Sequence, residues 1–219
     1  MNRSHIRMLV LASLFTALTV IGAQLRVPMP FAPFSLQTFF VLLAGLVLGP
    51  KYGALSQLLY LCLGLAGLPI FTKGGGPAYV LQPTFGYLLG FPLASFLIGA
   101  LIYRKPKRET FMPPATWPQL LLANTLAVLA ILTCGVLYLW LNTNWMLGKE
   151  LQLSQAIAVG ALIFLPGDAL KIFAAALLYR TLQPRFAMRP DSVKLAKSVL
   201  NNSPLERGVV RDFNDVRQK

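Results

Sequence analysis

The sequence predicts an all-α membrane protein, a bundle of six transmembrane helices with both termini cytoplasmic. Three observations carry this prediction. First, 56% of the 219 residues are hydrophobic, 12% are charged and the mean hydropathy is +0.62; soluble domains carry about 25% charged residues. Second, the apolar residues fall into six runs separated by Pro, Gly and charge. Third, the net charge of +13 is unevenly placed. With the termini inside, the inner side collects Arg3, Arg7, Lys51, the Arg104–Arg108 cluster and nine basic residues from Arg180 onward. The outer side receives only Arg26, Lys73 and Lys149, the positive-inside pattern. Charge at segment ends argues against a nucleic-acid binder, and no nucleic-acid partner is expected.

The first run, Ile6 to Ala23, follows Arg3 and Arg7 and so resembles the start of a signal peptide. More runs follow, so it reads as a retained first helix. It carries two offset pairs of small residues, Ala12 with Thr16 and Ser13 with Ala17, a spacing that lets helices approach closely. A loop with Pro28, Pro30 and Pro33 follows.

Ser35–Leu48 and Tyr52–Leu65 are the second and third runs, separated by the helix stop Gly49-Pro50-Lys51. Both are short for a hydrocarbon core of about 30 Å. Gln37 and Gln57 are polar at membrane depth, where a helix–helix hydrogen bond is the ordinary use. The irregular stretch Gly67 to Pro83 contains Gly74-Gly75-Gly76 but no Gly-Lys-Ser/Thr, so it is not a phosphate-binding loop. It reads as a loop closing over a site, or as a plain connector.

The fourth run, Thr84 to Tyr103, is interrupted by Pro92. The fifth, Gln119 to Trp140, has Asn124 as its strongly polar residue, with a structural role expected. Trp145 in the next loop suits a membrane interface. The tail after Leu182 holds no further run; a short helix from about Ser192 to Leu200 is expected there.

The sixth run, Ser154 to Tyr179, holds the chemistry. Asp168 and Lys171 are its only charges. Three apart on a helix, they share one face. A charge at mid-bilayer costs about 2.5–3.5 kcal/mol on insertion scales, so such residues are rare and mark functional sites. Two readings stand: a polar ligand site, or an ion pair tying helices together. Pro166-Gly167 is expected to break the helix just before Asp168 and free backbone groups there.

Other chemistries find no support. His5 is the only histidine, which excludes a His-based triad or His-ligated metal site within one chain. Cys62 and Cys134 have no metal or redox spacing and read as small buried apolar residues. A proton relay needs a chain of titratable groups, and one pair is present. No Walker motif and no nucleophile–base pair occurs, so the chain is not expected to be an enzyme or to need a cofactor.

Ser35-Leu36-Gln37-Thr38-Phe39, Gly64-Leu65-Ala66-Gly67-Leu68-Pro69, Pro83-Thr84-Phe85-Gly86-Tyr87-Leu88-Leu89-Gly90-Phe91, and Pro166-Gly167-Asp168 with Lys171 together resemble the BioY family. These are the biotin-specific S components of energy-coupling-factor (ECF) vitamin transporters. The resemblance covers about Met8 to Leu182, and the tail 183–219 lies beyond it. It implies the six-helix S-component fold and a non-enzymatic subunit that captures biotin at the outer face of the cell membrane. It implies as partners a transmembrane coupling protein and two ATPase subunits, docked through small residues of the first helix, here Ala12, Ser13, Thr16 and Ala17.

The family's Asp-x-x-Lys maps onto Asp168 and Lys171 as ligand contacts. A carboxylate accepts from the ureido N–H groups; Lys171 serves either the ureido carbonyl or the biotin carboxylate. Gln82, Tyr87 and Gln37 are further polar or stacking contacts, and Phe39 or Phe85 supplies an apolar wall. The alternatives are an S component for another small vitamin, and a channel or proton relay.

Overall fold

The computed structural model describes residues 3–27, 34–104, 112–146, 148 and 150–186. The proline loop, most of the basic cluster, Lys149 and the tail from 187, with its expected short helix, lie outside the described residues. Helix α1 spans Arg3–Gln24, α2 Gln37–Leu65, α3 Phe85–Ile102, α4 Trp117–Leu141, α5 Leu153–Gly160 and α6 Leu165–Phe186. Two short strands, β1 (Arg26–Val27) and β2 (Phe34–Ser35), pair antiparallel. Among the described residues, five helical stretches are long and apolar enough to cross a membrane.

One of the five, α2, is bent back on itself. Gly49 has φ 73 and ψ −173, a backbone region essentially restricted to glycine. Pro50 follows, where its missing N–H costs nothing at a helix start. The arms 37–48 and 50–65 then run side by side. A Cβ on Gly53 would stand 3.0 Å from the Ala44 carbonyl oxygen. At the open end, Gln37 Nε2 donates to Tyr60 Oη at 2.6 Å. The two runs read from the sequence are thus the arms of one helical hairpin.

The other helices close on this hairpin through small residues and a few buried hydrogen bonds. The buried Thr16 donates to the Ser56 carbonyl at 2.8 Å, and Thr19 meets Gln57, fixing α1 to the second arm. Gln57 is therefore the helix–helix contact its position suggested. Gly45 lies against Ser95 of α3, whose hydroxyl donates to the Val41 carbonyl at 2.8 Å. Gly99 of α3 touches the Gly49–Pro50 turn itself. Gly86 and Gly90 admit α4 at Tyr138, Cys134 and Ile131. Asn124 of α4 reaches the Ile172 carbonyl of α6 at 3.4 Å, the structural use expected of it.

Several expectations need correction. Pro92 does not interrupt α3, which is continuous. The sixth run does break, but upstream of Pro166-Gly167: α5 ends at Gly160, Ala161 leaves helical geometry (φ −130, ψ −58), and a 3₁₀ turn, Leu162–Phe164, leads into α6. Pro166 instead occupies the first turn of α6, where proline is unstrained. Cys62 is exposed on the outer side of the second arm, and Cys134 is half-buried. Trp145 is 83% exposed beyond the end of α4, as an interfacial ring requires.

Candidate functional site

A cavity lies at the open end of the hairpin. The 3₁₀ entry and first turns of α6 bring Phe164, Asp168 and Lys171 to it. The first arm of α2 brings Gln37 and Thr38, and β2 brings Phe34 and Ser35. Thr72 and Tyr79 come from the segment between α2 and α3; Thr84, Tyr87, Leu88 and Phe91 from the start of α3; Ile131 and Leu132 from α4. The space, open solvent at the mouth included, is about 590 Å³.

Asp168 and Lys171 are its only charged wall residues among the described residues, and both are buried. Lys171 Nζ donates to Asp168 Oδ1 at 3.0 Å. The ring of Phe34 covers the ammonium, with Nζ 3.9 Å from its centroid. Gly167 leaves the room for that ring, because a Cβ there would overlap it. Asp168 also stands in the first turn of α6, where the helix dipole favours an anion. The ammonium is thus held on two sides, while Asp168 Oδ2 has no partner among the described residues. Thr84 goes further. It precedes α3 but caps nothing, and its buried Oγ1 has no hydrogen-bond partner among the described residues. Buried polar atoms are normally paired, so the Thr84 hydroxyl is an open valence of the wall.

The remaining polar wall groups, Thr38 apart, make hydrogen bonds. Ser35 donates to Gln37 Oε1 at 3.0 Å, Gln37 donates to Tyr60, and Tyr60 donates to the Ile70 carbonyl at 3.1 Å. Tyr87 enters a slot between Gly135 of α4 and Gly160 of α5, and donates to the Gly160 carbonyl at 2.6 Å. That carbonyl belongs to the last turn before the break at Ala161, so a cavity residue satisfies a backbone group the break leaves open.

The segment between α2 and α3 is folded down rather than loose. Buried Phe71 fits over Gly64 and packs against Tyr60 and Tyr79. Thr72 and Tyr79 share a hydrogen bond of 3.1 Å. From α4, Tyr138 donates to the Val80 carbonyl, and Asn142 to the Leu81 carbonyl at 3.0 Å.

Of the residues singled out from the sequence, Asp168, Lys171, Tyr87 and Gln37 meet in this cavity. Gln82, Phe39 and Phe85 are not in its wall. Gln82 is exposed beyond the 3₁₀ turn, Phe39 packs on Phe40, and Phe85 packs on Tyr138. Phe34, Thr84, Thr72 and Tyr79 were missed. Only Thr84 had a sequence signal, as a hydroxyl inside the Pro-Thr-Phe-Gly block between two residues that were chosen.

A sequence model of the BioY family matches residues 1–188. This chain belongs to the BioY family. A probable biotin transporter BioY from Lysinibacillus sphaericus is 41% identical over 180 residues, covering 81% of this chain and 87% of that protein. The biotin transporter BioY of Thermotoga maritima is 41% identical over 174 residues, 78% of this chain and 93% of its own length. Among solved structures, the S component for biotin from an ECF-type ABC transporter superposes with a TM-score of 0.71 at 26% identity, covering 86% of this chain and 99% of that one. With its five candidate spans, this BioY-family chain is a multi-pass membrane protein.

Proposed function

We propose that this BioY-family chain is the biotin-binding S component of an ECF-type uptake transporter, with the cavity around Asp168 and Lys171 as its ligand site. The observation that carries the reading is one cavity whose wall holds a single buried ion pair, Asp168–Lys171, and the buried, unpartnered Thr84 Oγ1. The ureido head of biotin carries two N–H donors and one carbonyl. A carboxylate oxygen accepts an N–H, and a threonine hydroxyl donates to the carbonyl or accepts the second N–H. Bonds to an ionised acceptor are roughly twice as strong as neutral ones. Tyr87, Leu88, Phe91 and Ile131 provide an apolar surface for the thiophane ring and chain. The names of the relatives support the same ligand.

The rest of the reading follows the charge and the fold. Counting the two hairpin arms separately, the chain crosses six times, termini inside, and the cavity opens outward. Residues 1–182 form the binding domain, and 183–219 a cytoplasmic basic tail. A coupling protein and two ATPase subunits supply the energy, because the chain has no nucleotide-binding motif. Docking uses the Ser13–Ala17 pair, which is exposed, and not Ala12–Thr16, which is buried against α2.

Equilibrium binding of labelled biotin to purified protein, with riboflavin and thiamine as competitors, tests the ligand. Saturable binding displaced by biotin alone is expected. Displacement by another vitamin would reassign the cavity to that ligand.

A further inference from the structure

Where α4 begins and α6 nears its end, a cation is held by rings and by no anion. Arg180 lies about 18 Å beyond Asp168 along α6, at ~1.5 Å per residue. Its guanidinium carbon stands 5.2 Å from the centroid of the Trp117 ring. Phe173 stacks on the same indole, with centroids 5.7 Å apart and planes 13° from parallel. Phe173 and Arg180 are two turns apart on α6, about 10.5 Å, a gap that the indole fills. The seam is fixed by Tyr179, whose Oη donates to the Pro113 carbonyl at 2.7 Å in the segment leading into α4.

The length of α4 sets the depth of this cluster. Its 25 residues rise about 37 Å at ~1.5 Å per residue, against a hydrocarbon thickness of about 30 Å. It opens at Trp117, and Trp145 stands exposed beyond its other end. Tryptophans so placed mark the two headgroup levels, and Arg180 shares the level of Trp117. From Arg180 a stripe of exposed apolar residues, Leu177, Phe173 and Leu170, runs along one face of α6 toward the bilayer centre. The Arg180 side chain is exposed and has no ion pair or hydrogen bond among the described residues, and the Trp117 indole N–H has no acceptor among them. Of the two described carboxylates, Asp168 is bonded to Lys171, and Glu150 lies past the far end of α4.

We infer that Trp117 and Arg180 form a binding site for an anionic phospholipid on the α4–α6 seam. The lipid phosphate accepts from the guanidinium and the indole N–H, and an acyl chain lies along Leu177, Phe173 and Leu170. A planar guanidinium held by stacking is well suited to phosphate, and bonds between ionised groups are stronger than neutral ones. A zwitterionic lipid brings a cation of its own, which Arg180 repels. The site is independent of the biotin reading.

Native mass spectrometry of the purified full chain tests it, with phosphatidylglycerol or phosphatidylcholine of the same acyl chains added. Wild type is expected to retain phosphatidylglycerol about fivefold more than phosphatidylcholine, the factor of one cation at an anionic surface. Inorganic phosphate should not displace the lipid. R180Q should abolish the preference, and W117F, which keeps the stack but not the N–H donor, should weaken it. K51Q removes an exposed cation of α2 and should leave the preference unchanged. No preference in wild type, or an undiminished one in R180Q, would overturn the site. So would an equal loss in K51Q, which would mean attraction to net charge alone, or displacement by inorganic phosphate, which would mean an anion site without a lipid groove.

Discussion

Thr84 and Asp168 make opposite predictions for stability, although both bear on binding. The Thr84 hydroxyl is buried without a partner among the described residues, a state that costs about 1–3 kcal/mol of desolvation. Thr84→Val removes the group and keeps the shape. Thermal unfolding in detergent should show stability unchanged or raised, while biotin affinity falls about five- to tenfold with the lost hydrogen bond. Asp168→Asn leaves the Lys171 ammonium buried beside a neutral amide. Removing one partner of a buried pair costs about 3–5 kcal/mol, so both stability and affinity should drop. Asp168→Asn with Lys171→Met removes both charges, and denaturation midpoints should recover while biotin binding does not. Recovery of binding in that double variant would reduce the pair to a structural tie.

At the scale of the element, the α2 hairpin depends on two glycines. Gly49→Ala puts a Cβ on a residue with φ 73 and ψ −173, and a loss of about 1–3 kcal/mol is expected from chemical unfolding. Gly99→Ala drives a methyl group into the backbone of the same turn, which cannot swing aside as a side chain can. A similar loss is expected there, with the two effects non-additive because the residues touch. The hairpin was legible in the sequence: Gly49-Pro50 carries its own stop signal and splits the apolar run. The break before α6 was legible but misplaced. Proline disrupts a helix only where it removes an interior N–H bond, and Pro166 sits in a first turn with none to remove. The actual break at Ala161 has no local signature; it is stabilised from outside by Tyr87 on the Gly160 carbonyl. Phe34 and Phe39 show the same limit for the site. Each is an aromatic next to a suggestive motif, and only the β1–β2 pairing and the bareness of Gly167 decide that Phe34 meets Lys171.

For the whole molecule, α1 presents two different faces. Its inner face, with Ala12, Thr16 and Thr19, is buried in the bundle. Its outer face carries Val10, Ser13, Leu14, Ala17 and Ile21, all exposed. Ala12→Leu should destabilise the isolated subunit, because the larger side chain has no room against α2. Ser13→Leu with Ala17→Leu should leave folding and biotin binding near wild type, yet abolish co-purification with the coupling protein and uptake into proteoliposomes. Intact assembly in that variant would move the docking surface to another helix. The apolar runs and sparse charge made the multi-pass helical class readable from sequence, whereas the division of α1 into two faces required knowing which side α2 covers.

The first arm of α2 has a consequence for the distance a solute must travel. Residues 37–48 rise about 18 Å at ~1.5 Å per residue, against a hydrocarbon thickness of about 30 Å. Either the lipid thins around the hairpin or the arm's open end, with Gln37 and Tyr60 joined across it, sits sunk within the bilayer. In both cases a molecule resting beside Gln37 has less membrane left to cross than one at the headgroups. For the uptake function proposed above, binding at that depth covers part of the crossing before any nucleotide is hydrolysed.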